Sequence, residues 1–563
     1  MDASTKPWAL PGTVTPDNTQ TNAPPSPNNP LPPTQVERDP QTAPEPTDAE
    51  EQVTFKRIRL QGNTLLDPST VEDVVAPYLN RPITFNDVST LTDALSLLYA
   101  KKGYLTSSVY LPEQEITNDE LILQSQEVLV DTITLDLTPP GRHFYPWFIS
   151  PWFTQRSILP YISMASGDPL NVDALQRRIA LLNQNPDRTV SAKLLAGKQP
   201  GTSSVALRSM SRFPIHLTPF WDNLGRRPIG HNRFGATLTH NNLLGFGDTL
   251  STTWNASEAS SGVFSQYQIP VHSSGTQLGF TYAYSNVTPQ GALADLDVVS
   301  KAHTFSASVE QPLLFSDKRS LWAGLAFDWK NLRTDLVGEP FTEDHIRLLR
   351  PYFRGSFQDA WGRTLLNQEF GIGLDMWGGT QGDTPLNRDI GNSKPGSGTQ
   401  FFNMTGGITR VQRLPWQLTG VLRSNYQWSN DRLFATEQMQ VGGAFTTRGY
   451  KEGLYLGDSG ANLTAECYIP SLLFPRDWKL PLTHQPLRQA LQWVVFTDVA
   501  QIVTHQPKAS ESRNETLLGT GVGLRLTLTK YLVGRLDIGF PLLKPSPDKS
   551  FPRLHFGLQT PLF

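Results

Sequence analysis

The stretch of this 563-residue chain most suggestive of chemistry is QVGGAFTTRGYKEG, Gln440 to Gly453, where one arginine stands among glycines and aromatics. Glycine permits backbone angles closed to other residues, and a guanidinium can fork onto a carboxylate through two parallel hydrogen bonds. A solvated turn has no need of Thr446-Thr447-Arg448-Gly449-Tyr450. An exposed loop arginine contributes almost nothing to stability, whereas one enclosed with a carboxylate is costly to separate from it. Which of the two applies depends on what surrounds the loop.

Catalytic and metal chemistry find no support. The ten histidines are scattered, with no H-E-x-x-H or i, i+4 pair, and the single cysteine, Cys467, can build neither a disulfide framework nor a thiolate metal site. GTGVG (Gly519 to Gly523) looks like a phosphate loop only on the surface. It sits in an alternating strand with no following helix or Lys-Ser/Thr, which fits small residues in a packed sheet wall. No G-x-S-x-G elbow is present. No enzyme activity, metal or cofactor is expected.

A formal net charge of -3 leaves no basic footprint for nucleic acid. With 43 glycines, 45 prolines and 10% aromatics, the composition suits a β-rich chain with many turns. No apolar run approaches the ~20 residues of a spanning helix, so a membrane could be crossed only by a closed barrel. MDASTKPWAL lacks the basic and apolar regions of a signal peptide, which suggests a mature form with an added start methionine.

Four regions follow one another. Residues 1–50, with PPSPNNPLPPTQ and PQTAPEPTDAEE, read as an extended Pro-rich linker. From Val53, strand-like VTFKRIRLQ leads to a helix opened by Asn86-Asp87, with Val88, Leu91, Leu95 and Leu98 on one face and Lys101-Lys102-Gly103 at its end. Strand-like DTITLDL and a helix with Val172, Leu175, Ile179 and Leu182 on one face repeat the arrangement at an offset of 172 − 88 = 84 residues. Two small α+β modules, 53–128 and 129–208, are the economical reading. From 209 to 563 the helix signal gives way to about sixteen strand-length segments of period two, among them HNRFGATLTHNN, SLWAGLAFDW, LLGTGVGLRLTLT and YLVGRLDIGF. One face of each is apolar or aromatic and the other polar. Bacterial outer-membrane barrels have this pattern, an even strand number and crossings of ~9–11 residues. The final LHFGLQTPLF alternates and stops on Phe563, as a last barrel strand with an aromatic terminus would.

Several segments together resemble the TpsB transporters of two-partner secretion, within the superfamily that also holds barrel-assembly insertases. YAKKGYLTSSVYLPEQEI and LLNQNPDRTVSAKLLAGKQPGTSSVAL resemble the family's two POTRA modules, and FWDNLGRRPIGHNRFGATLTHNNLLGFGDTL its first barrel hairpin. VGGAFTTRGY resembles the V-R-G-Y/F motif of the long inward-folded loop, here about 429–458, matching at Arg448, Gly449 and Tyr450 with Thr447 in place of the usual Val. VVFTDVA resembles the F-x-D-x-G motif of a late inward-facing strand, matching at Phe496 and Asp498, with Ala500 where the family has Gly. The resemblance implies that Arg448 reaches Asp498 inside the lumen, and it makes Asp458, in GLYLGDSGAN, a second candidate partner.

The fold so implied is mainly β: a 16-stranded antiparallel transmembrane β-barrel preceded by two small α+β POTRA modules. The implied function is a protein-conducting outer-membrane transporter that exports a large unfolded TpsA-type partner (adhesin, haemolysin or toxin) from periplasm to cell surface without ATP. The POTRA modules would bind the partner's N-terminal secretion domain, the barrel would sit in outer-membrane lipid, and barrel-assembly machinery would insert it. The alternative is an outer-membrane barrel-assembly or insertion factor, although such insertases usually carry more POTRA modules; a passive porin would need none. Many relatives begin with a helix that plugs the pore. Pro7, Pro11 and Pro16 would break one here, which predicts a leakier resting pore.

Overall fold

The computed structural model describes residues 52–562 apart from 117, 139–151, 227–228, 317, 381–389, 472–473, 476–477, 480–485, 510, 529–531 and 544–551. The Pro-rich segment and Phe563 lie outside the described residues. Two compact units divide the remainder, one ending at Arg212 and the other beginning at Phe213.

In the first unit, β1 (Val53–Thr54), β2 (Arg57–Gln61), α1 (Pro68–Val75), β3 (Pro82–Ile83), α2 (Phe85–Lys101), β4 (Ser108–Tyr110) and β5 (Glu120–Gln126) make one module. The capping residue of α2 is Thr84, two residues before the Asn86 expected to open it. Its hydroxyl accepts from the Asp87 amide at 3.2 Å, and the Asp87 carboxylate accepts from the Thr84 amide at 2.8 Å, a reciprocal cap. Val88, Leu91, Leu95 and Tyr99 then bury against Leu121 and Leu123 of β5. Burial pushes the Tyr99 phenol up to about 12, while its hydroxyl bonds to Asn63 and Glu127, both at 2.9 Å. Helix α1 is absent from the periodicity argument above; its signal is Asp67-Pro68, a proline at the first helical position.

The second module holds β6 (Leu129–Thr138), α3 (Leu159–Ile162), α4 (Val172–Leu182), β7 (Arg188–Ala196) and β8 (Thr202–Ser211). All four predicted face residues of α4 are buried, at 0–4% exposure. Both modules are built alike: a central strand with one parallel and one antiparallel neighbour, in the orders β2-β5-β4 and β6-β8-β7. The start of α4 is tied to the end of α2, since Val172 and Asn171 donate to the carbonyls of Gly103 and Lys102 at 2.9 and 3.1 Å. Gly103 sits at φ +92°, which a helix stop in the left-handed region requires.

The second unit is a barrel. Its strands are β9 (Ile215–Asp222), β10 (Arg233–His240), β11 (Thr249–Ser257), β12 (Ser260–Pro270), β13 (Gln277–Val287), β14 (Val299–Phe315), β15 (Arg319–Leu336) and β16 (Glu339–Gln358). The circuit continues with β17 (Gly362–Gly373), β18 (Phe402–Arg413) and β19 (Thr419–Ser429). After a short internal hairpin, β20 (Met439–Val441) and β21 (Tyr455–Gly457), come β22 (Ser459–Pro470), β23 (Leu491–Val503), β24 (Asn514–Leu528), β25 (Leu532–Pro541) and β26 (Arg553–Gln559). Leaving out β20 and β21, sixteen strands among the described residues close into an antiparallel ring, β26 pairing with β9 through Gly557↔Asp222, Leu558↔Trp221 and Gln559↔Phe220.

Alternation sets the two faces. Along β11, Thr253 and Asn255 are buried while Trp254 between them is exposed; along β14, Thr304 and Ser306 are buried and Phe305 is exposed. The polar side chains line the lumen, and the apolar ones form the outer band that lipid covers. No described helix is long and apolar enough to cross a membrane. Strands β14, β15 and β16 run to 17, 18 and 20 residues, beyond the ~9–11 that a crossing needs.

Candidate functional site: an ion-paired loop inside the barrel

The chain between β19 and β22 folds inward as a hairpin. Strands β20 and β21 pair antiparallel, and Gly442 and Gly443, at φ +99° and +102°, turn the chain toward its tip. These angles answer for the glycine content of the loop. Gly443 then donates to the Thr447 carbonyl at 3.0 Å, and Ala444 to the Glu452 carboxylate at 2.6 Å.

Arg448 is 2% exposed. Its Nε and Nη2 fork onto Oδ2 and Oδ1 of Asp498, both at 2.8 Å, and its own amide donates to Oδ2 at 3.0 Å. Nη1 donates to Glu466 at 2.7 Å. The ring of Phe496 lies 3.4 Å from the guanidinium carbon, a cation–π stack on the face that the fork leaves free. Phe496 and Asp498 share the inward face of β23, two residues apart, so a single strand supplies both stack and fork.

The residues after the arginine hold it in place. Gly449, at φ +95°, lies so close to β25 that an added Cβ would come within 2.8 Å of the Pro541 nitrogen. The Tyr450 hydroxyl sits between the backbones of Leu518 and Leu543, 2.8 and 2.6 Å from their carbonyls. Ala500, in the place of the expected Gly, packs with Val441, Tyr450, Ile502 and Leu517, so its methyl group joins an apolar contact with the loop. Thr447 is fully buried beside the arginine.

Asp458 does not meet Arg448, and this corrects the expectation. It accepts from the Leu433 amide at 2.9 Å, the Gln438 side chain at 2.7 Å and the His505 amide at 2.7 Å, pinning the base of the loop to the turn after β23. The second carboxylate on the arginine is Glu466 of β22, and Asp537 of β25 stands 3.8 Å away. Asp537 is bound by Arg525 of β24 at 2.6 Å and by Arg535 at 2.7 Å, and Arg525 comes within 3.7 Å of Glu466. Three arginines thus face three carboxylates, and Arg423 of β19 adds positive charge near Glu466. Sequence reasoning missed Glu466, Arg525, Arg535 and Asp537. Their signal is a charge at the inward position of an alternating strand, in LTAECY, GLRLTL and GRLDIGF.

The wall opposite the arginine is cut back to glycine. A Cβ on Gly519 would fall 2.1 Å from the Arg448 carbonyl, one on Gly521 2.5 Å from the Phe496 ring, and one on Gly539 2.4 Å from the Gly449 nitrogen. GTGVG is therefore a packed wall that receives the loop. Among the described residues no group of three or more His, Cys, Asp or Glu could hold a metal ion. The arrangement holds a polypeptide segment inside the barrel by buried charges.

Comparison with known proteins shows which family the chain resembles as a whole. The family of haemolysin secretion/activation proteins ShlB/FhaC/HecB matches residues 201–526, and the ShlB-type POTRA domain matches residues 53–127. An outer membrane transporter CdiB of Escherichia coli O6:K15:H31 (strain 536 / UPEC) is 24% identical over 525 residues, covering 88% of this chain and 80% of the relative. The structure of CdiB from Escherichia coli superposes with a TM-score of 0.74 at 18% identity, covering 92% of each chain. CdiB from Acinetobacter baumannii gives 0.69 at 15% identity and 94% coverage of each.

Proposed function

This chain belongs to the haemolysin secretion/activation family ShlB/FhaC/HecB and is an outer-membrane transporter of two-partner secretion, and from that premise we propose that it captures one large TpsA-type protein and exports it unfolded from periplasm to cell surface. The observation that carries the reading is the closed barrel with the Arg448 loop fixed in its lumen, on a chain that also bears an ShlB-type POTRA domain at residues 53–127 and a second module of like build. A passive diffusion pore would have no need of the POTRA-type modules that precede the barrel.

The POTRA-type modules face the periplasm in this reading and bind the partner's N-terminal secretion domain. Their sheets offer edge strands, β4 and β2 in one and β7 and β6 in the other, which suit backbone pairing with an extended chain. Export needs no ATP: a partner that gains stability by folding beyond the pore cannot easily slide back. The barrel reaches the membrane through barrel-assembly machinery.

The experiment compares culture medium and outer membranes of cells with and without this protein. Loss of a single large exoprotein from the medium, with other barrels unchanged, is the expected result. Broad depletion of unrelated barrels would make it an assembly factor instead.

A further inference from the structure

The inward loop carries a second buried charge far from Arg448. Glu437 lies 2.6 Å from Lys330 Nζ through one oxygen and 2.7 Å from Arg350 Nη2 through the other, and Arg350 Nε lies 2.6 Å from Asp328. All four side chains are 6% exposed or less. Lys330 and Asp328 belong to β15 and Arg350 to β16. In the sixteen-strand ring β15 stands six places from β23, the strand of Asp498 on which Arg448 is forked, so the two anchors occupy well-separated parts of the wall. Leu433 and Phe434 pack on Ile346, Leu348 and Phe401 at the same end. Such apolar contact is non-directional; on the other side the segment is held by Arg432 on Glu511 at 2.9 Å and by Leu433 and Gln438 on Asp458, so the Glu437 ion pairs are what draw it to β15 and β16.

The two ends differ in what they would leave behind. Without Glu437, Arg350 keeps Asp328 at 2.6 Å, Lys330 has it at 4.0 Å, and Glu369 of β17 adds negative charge near Arg350. Without Arg448, Asp498 loses its amide and both guanidinium hydrogen bonds, and among the described residues it has no other ion pair. Breaking a buried pair is costly because a charge is stranded. The stranding is greater at Arg448.

We propose that the loop is a strap across the lumen, with Arg448 its permanent end and Glu437 its releasable end. Opening frees Glu437 from Lys330 and Arg350 and swings residues 434–437 off β15 and β16, while Arg432 stays on Glu511, Leu433 and Gln438 stay on Asp458, and Arg448 stays on Asp498. The proposal rests on the transporter reading, but its test uses no exported protein, so either can fail alone.

The test uses full-length protein in planar bilayers, with the folded barrel checked by heat-modifiable mobility. Glu437→Gln should raise the open-channel fraction on the order of tenfold, by removing charge-assisted hydrogen bonds. Glu437→Asp, too short to reach both cations, should fall between Gln and the parent. Thr436→Cys on a Cys467→Ser background reports position directly: Thr436 is 4% exposed, and a water-soluble maleimide should label it faster once Glu437 is Gln. A folded Glu437→Gln barrel with parental conductance and parental labelling overturns the proposal. Should Glu437→Gln not fold, Lys330→Met, which keeps Arg350 on Asp328, carries the same test: more frequent opening supports the strap, and unchanged opening overturns it.

Discussion

At the scale of the residue, Arg448 is bound in three ways at once: a two-pronged fork to Asp498, a further hydrogen bond to Glu466 and a ring stack on Phe496. A lysine keeps the charge but not the planar fork or the stack, so Arg448→Lys is not conservative here. Removing one partner of a buried pair costs ~3–5 kcal/mol where the other charge is stranded. The stranded carboxylate lies in the lumen, away from the strand ladder that closes the barrel. Arg448→Ala is therefore expected to leave an inserted barrel at normal level while export falls sharply, with Arg448→Lys between it and the parent. Immunoblots of medium and outer membrane read both quantities; undiminished secretion at normal barrel level refutes the latch. The glycine and aromatic neighbours singled the arginine out, but its pairing with Asp498 was expected only from the family resemblance. Glu466 was not, because one charge in one alternating strand reads equally well as an exposed residue.

At the scale of the element, the loop is seated by glycines in the wall as much as by its charges. Gly539 lies in β25, and its Cβ would strike loop backbone, the Gly449 nitrogen at 2.4 Å and the Arg448 carbonyl carbon at 2.7 Å. Backbone cannot swing aside as a flexible side chain can. Gly539→Ala should thus lift the loop without deleting any hydrogen-bonding group, giving a folded barrel with more frequent channel openings and reduced export. Normal conductance and export in that variant would show that the close approach is unimportant. The helices follow a similar division: the 3.6-residue spacing found α2 and α4, with the expected face of α4 buried throughout and that of α2 buried at Val88, Leu91 and Leu95, where Tyr99 rather than the half-buried Leu98 completes it. It passed over α1, eight residues long, which is too short for a face to repeat convincingly.

At the scale of the whole molecule, the barrel closes its own ladder and does not depend on the modules for strand partners. Deletion of residues 52–208 should therefore leave an inserted, conducting barrel, with the Arg448 loop in place, that no longer exports its partner. Heat-modifiable mobility and bilayer conductance test the first half of that statement, and the medium tests the second. A deletion protein that still secretes would remove the modules from the proposed capture step. The strand number could be approached from the sequence because each crossing repeats one alternating pattern. The added length of β14 to β16 was less visible, since nothing in an alternating sequence marks where the membrane ends.

What the sequence by itself determined is whatever depends on local period: two module helices, a long series of alternating strands, and an arginine in a glycine-rich loop. Side-chain direction follows from helix and strand geometry, so inward and outward faces can be read residue by residue. Which inward residues meet is another matter. Glu437 finds Lys330 and Arg350 across 107 and 87 residues of sequence, and Asp458 turns to Leu433, Gln438 and His505 rather than to Arg448. Those pairings depend on how far the ring brings strands around and how deep the loop descends, and only the closed tertiary structure decides both.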